Sequence, residues 1–334
     1  MEWQKLINNV PADFANQGSL QLVAPGETIA TWESKSAAIR NNWQNFLGYP
    51  PFTPFKPKYL EGEWEESDIY KGRTVYIQTE PDYFEKTYLL IPKKLKPKNA
   101  AVLVFYYDVD TMIGEDRGGK HFMNTPNRFF ARELVKRGFV VQVMRWFYQG
   151  FGNEYLDGVA RINKLYPNLK GLGKIAFDAN RVLDYLTSLP YVDTNAIGAM
   201  GHSLGGKMAL YATAFDQRIK ATVVSELGIG LSYCNWDAPW YLGAEIKEPG
   251  FDLDNHQILG LIAPRPLLLI AGDFADNNQS WYYINAAKKV YALFGREDYI
   301  GLYNHHSGHD PEKKAMDLGY TWLQYYLQIK GKMI

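Results

Sequence analysis

This 334-residue chain has almost no cysteine and no formal net charge. Its single cysteine, Cys234, cannot form an internal disulfide, which fits a reducing compartment. Lysine and arginine together number 36, and so do aspartate and glutamate, so the formal net charge is zero. Because a balanced chain has no overall field that attracts a polyanion, we expect no nucleic-acid partner.

Long apolar runs are also absent. The first twenty residues, MEWQKLINNVPADFANQGSL, lack the apolar core of a signal peptide. No later run approaches the roughly 20 apolar residues that a membrane span needs. We therefore expect a cytoplasmic chain with no membrane partner, although a chain trimmed of its leader would look the same. The pattern leaves the oligomeric state unknown.

Strand-length apolar runs alternate with helical patterns from residue 100 onwards, as in βαβ units. The run AAVLVFYYD at 100–108 is typical of a buried strand, and 125–139 has apolar residues at helical spacing. The alternation predicts an α/β fold with a doubly wound, mostly parallel sheet and helices on both faces. The other predicted strands are 140–147, 196–202, 219–227, 265–272 and 300–305, and the other helices are 174–189, 204–215, 279–293 and 311–329.

The first part of the chain lacks this alternation. A helix-like segment, WESKSAAIRNNWQNFL, is followed there by the proline-rich segment YPPFTPFKPKYL. We predict that residues 1–70 form a helical and proline-rich extension packed on the core, and that 71–334 form the main α/β domain. Residues 73–80 and 86–95 predict an antiparallel strand pair that leads into the sheet.

One short motif stands out, Gly-x-Ser-x-Gly in AIGAMGHSLGGKMAL, with Ser203 at its centre. Between a strand and a helix this pattern makes a tight turn that strains the serine backbone and exposes the hydroxyl. The amide of Leu204 then lies at a helix N-terminus, where it can donate to a developing oxyanion. The motif indicates a nucleophilic serine, and a turn with a capping serine is the structural alternative.

Carboxylates and histidines follow two later strands. Asp273 and Asp276 come directly after RPLLLIAG, and His305, His306 and His309 come at or after the end of IGLYN. Because the carboxyl ends of parallel strands lie on one edge of a sheet, these residues converge on the serine. The chain order of serine, acid and histidine is that of a catalytic triad.

This constellation resembles the α/β-hydrolase superfamily over roughly residues 73–334. The stretch GHSLGGKMALYATAFDQRIKATVVSELG resembles the dienelactone-hydrolase-like and acetyl-xylan-esterase-like branches, and also the glucuronoyl esterases. The resemblance implies an α/β-hydrolase fold with Ser203 as nucleophile and His309 as base. It also implies a second oxyanion donor in the turn after AAVLVFYY, at Asp108 or Val109.

Three carboxylates are candidates for the acid. Asp276 occupies the usual superfamily place beyond a strand and is the preferred acid. Glu226 ends the strand IKATVVSEL, after which certain glucuronoyl esterases place their acid. Asp273 immediately follows Gly272 and can instead cap the turn.

The histidine cluster also has two interpretations. His309 precedes Asp310-Pro311 in a loop that suits a mobile base, whereas His305 and His306 lie near a strand end. A metal site is not expected, because no cysteine or carboxylate accompanies these histidines at ligand spacing. No cofactor is expected.

Further residues are candidates for substrate binding. Lys207 lies about one helical turn after Ser203, where glucuronoyl esterases have a lysine that contacts the sugar. Those enzymes also have an arginine directly after the serine, where this chain has Leu204, so a solvent-facing lysine is the favoured interpretation.

The segment 229–258 is too long for a simple connection and contains several aromatic residues, Trp236, Trp240 and Tyr241 among them. We predict a lid or pocket wall here, and a packed structural excursion is the alternative. Together these features predict a serine ester hydrolase that needs no cofactor and acts on a small-molecule or carbohydrate ester. The alternatives are a glucuronoyl-esterase-like enzyme that uses Glu226 and a hydrolase-fold protein that binds without catalysis.

Overall fold

A computed structural model describes residues 2–16, 18–53, 55–119, 121–150 and 155–329 of the chain. In these ranges the strands are β1 (Tyr59–Glu61), β2 (Glu65–Glu66), β3 (Tyr70–Glu80), β4 (Tyr83–Pro92), β5 (Asn99–Tyr106), β6 (Val140–Arg145), β7 (Val192–His202), β8 (Ile219–Ser225), β9 (Leu267–Ala271) and β10 (Ile300–Asn304). They form one sheet in the order β1-β3-β4-β6-β5-β7-β8-β9-β10, with β2 paired to β3.

Most of this sheet is parallel. Strands β5 to β10 pair in parallel, while β1 to β4 form antiparallel pairs and β4 joins β6 in the antiparallel sense. Every residue of β5 is buried, as expected of a strand that is covered on both faces. The predicted doubly wound, mostly parallel sheet is confirmed.

Helices cover both faces of the sheet. They are α1 (Glu2–Leu6), α2 (Ile29–Leu47), α3 (Val109–Ile113), α4 (Phe130–Lys136), α5 (Tyr155–Leu165), α6 (Gly171–Ser188), α7 (Leu204–Phe215), α8 (Asn255–Ile262), α9 (Trp281–Leu293) and α10 (Lys313–Gln324). One hydrophobic core contains residues of α2 and α5 to α9, and the other contains residues of α3, α4 and α10. Alternate β5 side chains divide between the two, with Leu103 in the first core and Val104 in the second. None of the helices described here is long and apolar enough to span a bilayer.

Several element boundaries differ from the prediction. The expected helix at 125–139 is divided into a short turn, Pro126–Arg128, and α4, and it ends before Gly138, whose φ is 83°. Helices α5 and α8 were not predicted. The single turn Tyr325–Ile329 continues α10 with wider, π-helical spacing.

The N-terminal segment reaches both edges of the sheet. The carbonyl of Ile7 accepts a hydrogen bond from the Leu302 amide of β10 at 2.9 Å, and the Ile7 side chain is fully buried. At the opposite edge β1, which follows the proline-rich segment, pairs with β3. Between them α2 buries Trp32, Trp43 and Leu47. The described part of this segment therefore contacts β10 at one edge of the sheet and supplies strand β1 at the other.

Candidate active site

The turn at Ser203 has the strained geometry that its motif predicts. Strand β7 ends at His202 and α7 begins at Leu204, while Ser203 between them has φ 54° and ψ −121°. A Cβ added to Gly201 would lie 2.0 Å from the Gly205 carbonyl oxygen, and one added to Gly205 would lie 2.0 Å from that of Phe105. Only glycine therefore fits at both flanking positions. The serine side chain makes no capping bond, so its hydroxyl is available.

The Ser203 hydroxyl is hydrogen-bonded to a histidine that is itself paired with a carboxylate. Its Oγ lies 3.0 Å from Nε2 of His309, and Nδ1 of His309 lies 3.3 Å from Oε2 of Glu226. Glu226 follows β8 with φ 48°, and its carboxylate is fully buried. The amides of Gly272 and Ala275 donate to this carboxylate, the latter at 2.8 Å, and they fix its orientation. The structure therefore brings Ser203, His309 and Glu226 together.

Asp276, the preferred acid, does not contact the histidine. Its buried carboxylate accepts hydrogen bonds from the amides of Gly228 and Ile229 at 2.8 and 2.7 Å, and from the hydroxyl of Ser280 at 2.9 Å. Burial raises the pKa of Asp276 to about 6, and the neighbouring Glu226 adds to that rise. The preference for Asp276 as the carboxylate at the histidine is therefore wrong, because the turn after β9 directs its side chain to the loop that follows β8.

Asp273 lies apart from the histidine as well. Its carboxylate lies 2.6 Å from Nδ1 of His306 and accepts from Asn304 at 2.7 Å, and the side chains of Asp273 and His306 are both about half exposed. His305 is instead buried, with its Nδ1 accepting from the amide of Ser307 at 3.2 Å. Of the three clustered histidines, only His309 lies against the serine.

His202 supports the ring of His309 from inside the protein. The two ring centroids are 4.8 Å apart, and on the exposed side the ring of Phe274 lies 4.7 Å from that of His309. Burial lowers the pKa of His202 well below its usual value, so this ring is neutral at pH 7. His202 therefore packs against the base without adding a positive charge beside it.

A cavity of about 390 Å³ opens at the serine. Its lining residues are Tyr106, Tyr107, His121, Phe122, Met123, Arg128, Ser203 and His309. The phenol of Tyr107 lies close to the Ser203 side chain in this cavity. Burial raises the pKa of Tyr107, and the contact with Ser203 partly offsets that rise. A neutral phenol in this place can donate a hydrogen bond to an oxyanion.

The second oxyanion donor expected at Asp108 or Val109 stays a prediction. Asp108 and Val109 line a neighbouring cavity, and the Asp108 side chain caps α3 by accepting from the Thr111 amide at 2.8 Å. In this turn the residue at the serine is Tyr107. Its position directly after the buried strand AAVLVFY is the signal that could have identified it.

Lys207 and the aromatic residues of 229–258 form a packed cluster. Lys207 is only 3% exposed, donates to the carbonyl of Leu227, and lies 4.5 Å from the Trp236 ring centroid and 5.3 Å from that of Tyr241. Burial lowers the pKa of Lys207. The interpretation of a solvent-facing lysine is therefore wrong, because Trp236 and Tyr241 cover the helix at this point.

The predicted substrate-binding residues do not line the cavity at the serine. Trp236 is fully buried and donates to the carbonyl of Gly228 at 2.6 Å, and Trp240 packs against the ring of Tyr155. Of the residues assigned to the Ser203 cavity in the described ranges, none belongs to 229–258. Most of the buried apolar side chains of this segment pack in the hydrophobic core.

This geometry permits nucleophilic attack by Ser203, with His309 as the base. Nε2 of His309 can take the proton of the Ser203 hydroxyl, while Glu226 orients the imidazole and stabilises its protonated form. The Leu204 amide, at the first position of α7, can donate to the negative charge that then develops. Among the residues described, no three histidine, cysteine or acidic side chains cluster closely enough to hold a metal ion.

The overall fold is shared with solved esterase structures. A glucuronoyl esterase from Solibacter usitatus superposes with a TM-score of 0.75 at 18% identity, covering 95% of this chain and 98% of that one. The chain has the α/β-hydrolase fold. Acetyl xylan esterase 1 from Thermoanaerobacterium sp. superposes on this chain with a TM-score of 0.51 at 15% identity, covering 96% of each chain. The dienelactone-hydrolase-like resemblance stays a prediction.

Sequence comparison gives a more local match. The family model described as glucuronyl esterase of fungi matches residues 153–250, a range that includes Ser203, Lys207 and Glu226. A 4-O-methyl-glucuronoyl methylesterase from Hypocrea jecorina is 31% identical over 181 residues, which cover 43% of this chain. The matched part spans 38% of that relative's length.

Proposed function

We propose that this α/β-hydrolase is a serine carboxylic ester hydrolase that acts on a carbohydrate-linked ester. The observation that carries the proposal is the chain of contacts from Ser203 through His309 to Glu226, at 3.0 and 3.3 Å. A strained nucleophile next to a base, with the base oriented by a buried carboxylate, is the arrangement that activates a serine hydroxyl. A binding protein would have no need for this strain.

The reaction proceeds in two halves. His309 accepts the proton of Ser203, whose Oγ attacks the ester carbonyl and forms a tetrahedral intermediate. The Leu204 amide and the Tyr107 hydroxyl donate to the oxyanion of this intermediate. His309 then returns the proton to the departing alcohol, which leaves an acyl-enzyme. A water molecule, deprotonated by the same histidine, hydrolyses that acyl-enzyme and frees Ser203.

Within this reaction class, we propose an ester of a sugar carboxyl group, such as a uronic acid methyl ester, as the substrate. The position of Glu226 after β8 supports this choice, because certain glucuronoyl esterases place their acid after that strand. The match of residues 153–250 to the glucuronyl esterase model supports it further. Leu204 stands where those enzymes have an arginine, so in this chain the neutral Tyr107 phenol assists the amide at the oxyanion.

Labelling with a fluorophosphonate probe tests the reaction class without knowledge of the substrate. The intact chain should take up one label at Ser203, identified by peptide mass spectrometry, and Ser203→Ala should take up none. If the wild-type chain stays unlabelled, the proposal of a serine hydrolase is wrong and the alternative of a protein that binds without catalysis remains.

A four-substrate panel then tests the ester. Methyl glucuronate, acetylated xylan, an aryl acetate and a lactone are compared by kcat/KM, and we expect the methyl glucuronate to give the highest value. Turnover of acetylated xylan with none of methyl glucuronate would assign the enzyme to acetyl esters instead.

A further inference from the structure

A second cavity, here called the polar cavity, lies beside the one that contains Ser203. It has a volume of about 190 Å³ and is lined by 108–110, 117–119, Lys86, Arg145 and Gln149. Its wall includes Asp108, two residues after β5, and Arg145, the last residue of β6, so it opens at the same sheet edge as the nucleophile. The mechanism proposed above uses none of these side chains.

The distance between the two cavities follows from the sheet. Strand β5 pairs with β6 on one side and with β7 on the other, and Ser203 follows β7. Neighbouring strands are about 4.8 Å apart, so the ends of β6 and β7 are separated by roughly 10 Å. A group bound in the polar cavity would therefore lie one or two sugar rings away from an ester at Ser203.

One buried carboxylate oxygen in this cavity lacks a partner. Asp108 is 7% exposed, and its Oδ1 accepts from the Thr111 amide, but its Oδ2 has no hydrogen-bond partner among the described residues. Burial raises the pKa of the Asp108 carboxyl, and the bond from Thr111 only partly offsets this rise. Because a buried carboxylate oxygen without a partner is unfavourable, a ligand hydroxyl that donates to it would be bound favourably.

The charges around the cavity are already balanced. Arg145 donates to the buried Glu85 at 2.6 Å, and Arg117 is paired with Glu65. Two more carboxylates, those of Asp108 and Asp110, line the same cavity as the exposed Lys86. An anion such as phosphate would therefore gain little, because the cations at the wall are matched by carboxylates.

The remaining groups form a mixture of donors and acceptors. The Asp110 carboxylate is held by the amides of Arg117 and Gly119 at 2.7 and 2.8 Å, and Gln149 adds an amide side chain. A neutral molecule with several hydroxyl groups can both donate to and accept from such a surface. Sugar rings have this chemistry.

We propose that the polar cavity is a subsite for one neutral sugar ring of the substrate, with a ring hydroxyl donating to Oδ2 of Asp108. This inference rests on the proposed function, in which the ester is attached to a carbohydrate. The sugar bound there is one or two units from the uronic acid at Ser203, so the enzyme favours esters on oligosaccharides over esters of single sugars.

The test measures sugar binding in the absence of turnover. Full-length Ser203→Ala protein is titrated with xylose and xylotriose by calorimetry, and inorganic phosphate is titrated as the anionic comparison. The Asp108→Ser substitution is then combined with Ser203→Ala, because serine retains the N-cap of α3 and removes the unpaired oxygen. Asp193→Asn is the matched control, since the Asp193 carboxylate also accepts from a nearby backbone amide, that of Asn195, but lies near the opposite end of β7.

We expect xylotriose to bind, and Asp108→Ser to weaken that binding roughly tenfold or more, which is the loss of one hydrogen bond to a buried charged group. Asp193→Asn should change it less than twofold. Equal affinity of the two variants, or binding of phosphate with none of xylotriose, would overturn the subsite. If Asp108→Ser melts more than a few degrees below the control, Asp108→Asn replaces it, because this amide keeps the shape and turns Oδ2 into a donor.

Kinetics separate this inference from the proposed function. In the active enzyme, Asp108→Ser should lower kcat/KM for a methyl glucuronate carried on xylotriose more than for methyl glucuronate alone, chiefly through KM. If Asp108→Ser binds xylotriose more weakly than Asp193→Asn but the wild-type enzyme hydrolyses no ester, the proposed function is refuted and the sugar site is retained. Ester hydrolysis with equal losses on both substrates would refute the subsite alone.

Discussion

Glu226→Gln and Asp276→Asn form a matched pair of substitutions that tests which carboxylate serves the histidine. Both replace a fully buried carboxylate by its amide, and the two residues lie in the same pair of loops. Only Glu226 contacts His309, at 3.3 Å from Nδ1. We therefore expect a large loss of turnover for Glu226→Gln and a small one for Asp276→Asn.

The loss of kcat expected for Glu226→Gln can be estimated from the distance between Glu226 and His309. An imidazolium and a carboxylate whose charges are about 4 Å apart interact by roughly 4 kcal/mol at an effective dielectric constant of about 20. That energy corresponds to about 10³ in rate. The side-chain amide that Glu226→Gln introduces would also point its donor toward the Nδ1 proton or toward the Ala275 amide, which disfavours the required imidazole tautomer. The combined loss in kcat should be about 10³ to 10⁴.

Asp276→Asn is expected to affect stability more than catalysis. Its carboxylate accepts from three donors, and an amide can satisfy them only in part. One buried donor left unpaired costs about 1–3 kcal/mol of folding free energy, whereas kcat should fall less than tenfold.

The assay is steady-state hydrolysis of p-nitrophenyl acetate, together with the rate of fluorophosphonate labelling at Ser203, which does not depend on substrate choice. Circular dichroism melts establish that each variant is folded at the assay temperature. A loss of about 10³ in Asp276→Asn with near-normal turnover in Glu226→Gln would refute the assignment of Glu226.

Three further outcomes are expected. Tyr107→Phe removes the hydroxyl that interacts with Ser203, so kcat should fall about 10²-fold with KM within about threefold, and an unchanged kcat would exclude Tyr107 from the oxyanion site. Because the pKa of Asp276 is raised from about 4 in the unfolded chain to about 6, its contribution to stability is complete below pH 4 and is lost as the pH rises through 6. Urea unfolding should therefore show the free energy of unfolding of wild type, relative to Asp276→Asn, falling between about pH 4 and 6, whereas a rise would contradict the buried site. Short acyl esters of p-nitrophenol should be preferred over a twelve-carbon ester, because the cavity at Ser203 is about 390 Å³, and preference for the long chain would contradict this cavity as the acyl site.

The sequence was sufficient for the residues whose role depends on local structure. Ser203 lies in a turn that its own glycines define, and continuous apolar runs identify strands such as β5 and β7. His309 could be selected from its cluster because it precedes Asp310-Pro311 in the loop before α10, whereas His305 and His306 directly follow β10. In each case the deciding contacts involve neighbours within a few residues or the shared edge of a parallel sheet.

Local sequence patterns could not identify which carboxylate contacts His309. Glu226 and Asp276 both follow strands that end at this edge, and the side chain that meets His309 is decided by the φ of 48° at Glu226 and by amides contributed from 272–275. Lys207 is a similar case. Its helical position was predictable, but its burial depends on Trp236, which lies 29 positions later in the chain and has no periodic relation to it.

The hydrogen bond between Ile7 and Leu302 bears on the order in which this protein can assemble. The two residues are 295 positions apart, so this contact closes one of the longest loops available to the chain. During synthesis the segment around Ile7 leaves the ribosome early and has no partner until β10 has been translated, whereas β5, β6 and β7 can pair with nearer neighbours. The edge of β10 is thus the last to be covered, and a nascent chain interrupted before residue 302 would leave β9 as an open edge at which other chains could add.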